Sequence, residues 1–138
     1  MRAKTFTYES IIKESHLDTF GHMNNATYLI LLEEARWEML TENNYGLEHI
    51  MATRIGPTIL DIKLRFLKEL RLRDQITIET KAVSYEKKIG RVTQHILRGE
   101  AVCCTAELTI GLFDLTQRKL ISPTPEWLKA IGIETETH

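Results

Sequence analysis

Ala26-Thr27-Tyr28-Leu29-Ile30-Leu31-Leu32-Glu33-Glu34-Ala35-Arg36-Trp37-Glu38-Met39-Leu40-Thr41-Glu42-Asn43, residues 26–43 of the chain, holds neither glycine nor proline. Within it Leu31, Leu32, Ala35 and Met39 recur at helical spacing. Asn24 or Asn25 ahead of it is a good N-cap, since an asparagine side chain accepts one of the free N–H groups of a first helical turn. The spacing therefore predicts a helix of several turns from Ala26 to about Asn43. Its first half, Tyr28 to Leu32, is apolar on nearly every side, which predicts burial all round and an element that wraps it.

The flanking sequence supplies the wrapping. Leu60, Ile62, Leu64 and Phe66 alternate with Asp61, Lys63 and Arg65, the period of a half-buried strand. Alternation continues through Ile76, Ile78, Thr80 and Ala82, through Val92, Gln94 and Ile96 after a turn at Lys88-Ile89-Gly90, and through Val102, Cys104, Ala106, Leu108, Ile110 and Leu112 after Gly99. Lys4 to Lys13 reads as an earlier strand with an irregularity near Ser10, and Pro125 to Ile131 as a short terminal helix. The short connections favour antiparallel hairpins between successive strands, because parallel pairing needs crossover segments. The expected fold class is α+β, an antiparallel sheet of about five strands wrapped around one long central helix, with residues 1–138 as a single domain.

Composition narrows the function. The chain has 43% hydrophobic and 27% charged residues and a formal net charge of −1, so no overall field draws it to nucleic acid or to an anionic membrane. Met1-Arg2-Ala3-Lys4-Thr5-Phe6 lacks a secretory signal's apolar stretch and no apolar run could span a bilayer, so the expected location is cytoplasmic. Cys103 and Cys104 are neighbours that would point to opposite faces of a strand; they read as core thiols and not as a disulfide or metal pair. His16, His22, His49, His95 and His138 are scattered, and neither a metal cluster nor a phosphate loop nor a Gly-x-Ser-x-Gly elbow is present, so no metal and no cofactor is expected.

Chemistry concentrates in His16-Leu17-Asp18-Thr19-Phe20-Gly21-His22-Met23-Asn24-Asn25, which feeds the start of the helix. A helix N-terminus presents unpaired N–H donors and a partial positive charge, the environment a developing oxyanion requires, and burial would strengthen it. A thioester carbonyl polarised there could be attacked by Asp18 as nucleophile or by water with Asp18 as general base. His22 either holds the loop or contacts the thioester, and Asn24 caps or braces the loop. Glu33 and Arg36 have the i,i+3 spacing of a helix ion pair. Arg65, Lys68, Arg71 and Arg73, with Lys87, Lys88 and Arg91, are candidates to meet the phosphates of a ligand or simply a solvated face.

This segment, with Leu31-Leu32-Glu33-Glu34-Ala35-Arg36-Trp37 after it, resembles the hotdog-fold thioesterases of the 4-hydroxybenzoyl-CoA thioesterase type, whose motif has an Asp, a Gly three residues on, and then a helix. Within that group it is most similar to the bacterial long-chain acyl-CoA thioesterase III branch. The resemblance implies acyl-CoA hydrolysis without metal or cofactor. It makes Asp18 the catalytic Asp, Gly21 the turn glycine and Asn25 the place of the oxyanion-stabilising backbone N–H. His22 joins them as a second catalytic candidate, with Gly21, Asn24 and Tyr28 as substrate-binding candidates. The implied partners are the acyl-CoA substrate and further copies of the chain, as a homodimer or homotetramer. Tyr28 to Leu32 and the apolar strand faces could line an extended slot for a medium- to long-chain acyl group. A non-catalytic acyl-thioester-binding module and an enoyl-thioester hydratase are the alternatives on the same fold, the first expected to show Asp18 in a salt bridge away from the helix start.

Overall fold

The computed structural model describes residues 1–134, so His138 and the end of the expected 1–138 domain lie outside the described residues. In chain order the elements are β1 (Arg2–Ala3), β2 (Thr5–Ile11), a single 3-10 turn (Glu14–His16), α1 (Asn25–Glu42), α2 (Leu47–Thr53), β3 (Ile55–Phe66), β4 (Gln75–Glu86), β5 (Ile89–Arg98), β6 (Ala101–Asp114), β7 (Lys119–Ile121), α3 (Pro125–Ala130) and β8 (Ile133–Glu134). The main sheet is antiparallel in the order β2-β4-β5-β6-β3, with β7 added on β6, while β1 and β8 form a separate ribbon. The expected α+β hotdog arrangement, five principal strands curled about a long helix, is the one observed.

The alternation of each inner strand becomes a core face. Ile76, Ile78, Thr80 and Ala82 of β4, Val92, Gln94 and Ile96 of β5, and Cys104, Ala106, Leu108, Ile110 and Leu112 of β6 are all buried. From α1 they receive Tyr28, Leu31, Leu32, Ala35, Met39 and Leu40. Each fully buried leucine among these contributes roughly 1.5–3 kcal/mol relative to an exposed one. Cys103 and Cys104 are both buried although adjacent, because the register with β5 slips there: Ile96 faces Cys104 and Leu97 faces Val102, which leaves Cys103 as the extra residue of a bulge. Burial pushes the Cys104 thiol up to about 11, in keeping with a core thiol.

Several sequence expectations are corrected. The helix is not wrapped all round: Leu29 and Ile30 are 39% and 54% exposed, because the sheet covers one face of α1 and leaves the other open. The Leu60–Phe66 strand begins at Ile55 and bulges at Leu60, between the pairs Ile59–Ile110 and Asp61–Thr109, so its apolar face is only half-buried. This strand is also an edge. It pairs with β6 and not with its successor β4, since the connection 67–74 crosses the end of the sheet with Leu70 buried beneath it. No irregularity occurs at Ser10, as β2 pairs with β4 without interruption from Thr5 to Ile11. The hairpin turn lies at Lys87-Lys88, with Ile89 and Gly90 already in β5. The terminal helix is found where expected, capped by the Thr124 hydroxyl, which accepts the Trp127 N–H at 3.2 Å. The short α2 and the ribbon strands had no clear periodic signal.

Candidate active site

The segment after β2 folds into a miniature hairpin closed by the bridge between Leu17 and Met23. Asp18 is its keystone. The Asp18 N–H donates to the His22 carbonyl at 2.9 Å, and the Asp18 carbonyl accepts the Gly21 N–H at 3.0 Å. Its side-chain Oδ1 accepts two further N–H groups, from Phe20 at 2.9 Å and from His22 at 3.0 Å. A carboxylate turned onto its own following backbone in this way is an Asx-type turn. Gly21 completes the turn with φ +78°, a left-handed conformation that costs an L side chain roughly 1–2 kcal/mol and glycine little.

Two residues beyond His22 the chain enters α1. Asn24 is the N-cap, with its Oδ1 accepting the Thr27 N–H at 3.0 Å and the Thr27 hydroxyl at 3.2 Å. With Thr27 taken up by the cap, the N–H groups of Asn25 and Ala26 are what the helix start presents to a ligand, together with the positive end of a dipole about 27 Å long. The structure thus brings Asp18, Gly21, His22, Asn24 and Asn25 into one corner. Tyr28 stands one turn further in and faces inward, its ring edge-on to Phe66 at 4.9 Å between centroids. Burial raises the Tyr28 hydroxyl above its ordinary pKa, which keeps it a neutral hydrogen-bonding group.

This corner is not buried in the single chain. Asp18, Gly21, His22 and Asn25 are exposed, and Phe20 is 83% exposed. The loop follows the end of β2, beside the 67–74 connection that carries Lys68, Arg71 and Arg73, and Arg73 forms an ion pair with Glu14 at 2.7 Å. Lys87 and Lys88 turn at the opposite end of the sheet, and Arg65 and Arg91 stand exposed on its strands. Among the described residues Asp18 makes no ion pair, so the arrangement the acyl-binding alternative called for is not seen.

A second feature lies further along α1. A cavity of about 170 Å³ opens between its middle turns, the inner faces of β3, β5 and β6, and α3. Pro57, Ile59, Val92, Ile110 and Trp127 make most of its wall apolar, and Glu33 and Arg36 supply its polar edge. The expected ion pair between these two does not form within 4 Å. Arg36 instead donates through Nη1 to Gln94 Oε1 at 2.9 Å, and Glu33 accepts the Trp37 Nε1–H at 3.4 Å. Gln94 is fully buried and donates through Nε2 to the Leu32 carbonyl and to the Thr80 hydroxyl, both at 3.0 Å. Burial lowers the pKa of Arg36, offset in part by the charge of Glu33. Sequence reasoning missed this network, and its signal was two polar residues, Thr80 and Gln94, at inward positions of otherwise apolar strand faces.

Comparisons with known proteins find relatives among the thioesterases. A family model described as the Thioesterase-like superfamily matches residues 13–131. The long-chain acyl-CoA thioesterase FadM of Escherichia coli is 33% identical over 113 residues, 80% of this chain and 85% of that protein. The acyl-CoA thioester hydrolase YbgC of Escherichia coli is 25% identical over 72% of this chain and 75% of that protein. The crystal structure of YbaW Probable Thioesterase from Escherichia coli superposes with a TM-score of 0.78 at 27% identity, covering 90% of this chain and 94% of the other.

Proposed function

The chain belongs to the Thioesterase-like superfamily, and from that premise we infer that it is an acyl-CoA thioesterase acting on medium- to long-chain fatty acyl groups, with Asp18 as its essential carboxylate. The observation that carries this is the corner where the Asp18 carboxylate, oriented by two backbone N–H groups, sits in the hairpin that leads directly into the capped start of α1. The thioester carbonyl oxygen is received by the Asn25 N–H at that helix start, and Asp18 attacks the carbonyl carbon or takes the proton of an attacking water. The thiolate of coenzyme A then leaves, and on the nucleophilic route water hydrolyses the resulting Asp18 anhydride to release the acid and restore the carboxylate. Gly21 and Asn24 hold the geometry, His22 stands at the mouth, and Tyr28 supports the helix start from the core side. Lys68, Arg71 and Arg73, at the same end of the molecule, are placed to meet the coenzyme phosphates.

Residues 1–138 act in this reading as one domain, working in the cytoplasm as a homodimer or homotetramer. Leu29 and Ile30 form an exposed apolar stripe on α1, and β3 and β2 are sheet edges, features that proteins seldom leave uncovered. A second copy over this face would also dry the catalytic corner.

The decisive experiment measures release of free thiol from straight-chain acyl-CoA compounds of increasing length, with acetyl-CoA and benzoyl-CoA alongside. The expected result is a kcat/KM that rises with chain length, since each buried methylene is worth roughly 0.8 kcal/mol. No turnover of any thioester would remove the activity. A best substrate that is acetyl- or benzoyl-CoA would remove the chain-length preference.

A further inference from the structure

Arg36 is an unusual group to find at the edge of an apolar cavity. A guanidinium has five N–H donors and carries its charge at every physiological pH. Here its one side-chain partner is the neutral Gln94 oxygen, and no carboxylate lies within 4 Å of it among the described residues. Burying a charge without a matching acceptor is costly, and the cost is relieved when a ligand brings the acceptor. Glu33 borders the same cavity and supplies the opposite polarity, an acceptor without a donor of its own beyond the long Trp37 contact. A donor and an acceptor side by side match a hydroxyl group, which accepts from one and donates to the other. An anionic group would instead face the repulsion of Glu33.

The cavity also lies on the line an acyl chain would follow. Ala26, Leu29, Ile30, Glu33 and Trp37 are spaced by three and four residues, so they form one stripe of α1 running from the helix start to the cavity. From Asn25 to Glu33 and Arg36 the rise is about 12–16 Å. An extended chain advances about 1.2 Å per bond, by analogy with the three-bond repeat of an extended backbone, so the distance corresponds to roughly 10–13 bonds. At about 170 Å³ the cavity is slightly larger than the roughly 150 Å³ cavity that accepts a benzene ring, and so has room for the last several carbons of such a chain.

We propose that Arg36 and Glu33 form a hydroxyl-recognising subsite at the far end of the acyl slot, which selects long-chain acyl thioesters hydroxylated near the tail. The proposal rests on the thioesterase activity above and specifies its substrate class.

The test compares kcat/KM for ω-hydroxydodecanoyl-CoA with that for dodecanoyl-CoA, using β-hydroxydodecanoyl-CoA and an ω-carboxy chain of the same length as controls. The wild-type ratio of ω-hydroxylated to plain chain is expected to be about tenfold or more, because a site built to pair a hydroxyl rejects the analogue that lacks it. The β-hydroxy chain should gain nothing. Arg36→Met should bring the ratio to about one, as should Glu33→Met, which removes the acceptor at an exposed position and leaves the buried network in place. If Arg36 merely braces Gln94, its loss slows both substrates alike and the ratio survives, which overturns the proposal. Preference for the plain or the ω-carboxy chain in the wild type overturns it too. Trp37 and Trp127 line the cavity, so quenching of their fluorescence by ω-hydroxydodecanoic against dodecanoic acid measures the same preference as a ratio of Kd without turnover. An absence of hydrolysis would therefore count against the thioesterase activity, and equal binding of the two acids against the hydroxyl subsite.

Discussion

Asp18→Asn separates the chemistry of the proposed catalytic corner from its architecture. The asparagine keeps an Oδ1, so the Phe20 N–H at 2.9 Å and the His22 N–H at 3.0 Å keep their acceptor. Each bond changes only from a charged to a neutral acceptor, a difference of about 1 kcal/mol, and solvent at this exposed loop reduces it further. The loss of stability is thus at most about 2 kcal/mol, a fall of several degrees in Tm for a domain of this size. The loss of a nucleophile or general base is of another order: at least about a hundredfold in kcat/KM, or about 2.7 kcal/mol of transition-state stabilisation at about 1.36 kcal/mol per decade. Thiol release under single-turnover and steady-state conditions, beside a thermal melt of each protein, measures the two effects separately. Asp18→Ala is the poorer variant, since it removes both loop bonds with the carboxylate. A folded Asp18→Asn protein that turns over its best thioester at near the wild-type rate would refute the assignment.

Ile30→Glu should convert the proposed dimer to a monomer by light scattering while leaving the melt cooperative, because the side chain is exposed in the single chain; an unchanged assembly mass would take the α1 stripe out of the interface. Asp74 is held below its ordinary carboxylate value of 3.8, first by the Arg71 N–H at 2.8 Å and then by Arg98 at 3.0 Å. A depressed carboxylate contributes stability above its unfolded pKa and loses it as pH falls through the folded value. The Tm gap between wild type and Asp74→Asn should therefore be full at neutral pH and close below about pH 4, and a gap independent of pH would contradict this. Cys103 and Cys104 should both resist a thiol reagent in the native protein at mildly alkaline pH and both react after denaturation, so fast labelling of the native chain would show that the bulge opens.

Most of the fold was legible because its signals are local. Alternation in β4, β5 and β6 and the 3.6 period of α1 survive in the structure as faces of one core. The position of β3 was not legible, since nothing local tells a strand which neighbour it will take, and its place beside β6 depends on a connection that crosses the sheet end. The loop was legible through residue types: Asp18, Gly21 and Asn24 are what an Asx turn, a left-handed turn and a helix cap each demand. The Arg36 network was hidden by the i,i+3 rule, which pairs Glu33 with Arg36 on an isolated helix. In the folded chain the buried Gln94 oxygen is the better placed acceptor.

Apolarity all round the first half of α1 predicted a wrapped helix, and half of that wrapping is absent from the single chain. The same stretch begins at the proposed oxyanion site, whose electrostatic effect depends on the exclusion of water: a charge–dipole interaction at a helix start is several-fold weaker in water than in a protein environment. Phe20 in the loop and Leu29 and Ile30 in the first turns of α1 are apolar and exposed in the single chain. The proposed dimer, with a second copy laid across α1, would cover these side chains and keep the carbonyl site dry together. In that proposed arrangement the stripe from Ala26 to Trp37 would become a closed slot, so Ile30→Glu should lower the activity along with the assembly mass, and a monomer of full activity would refute the link.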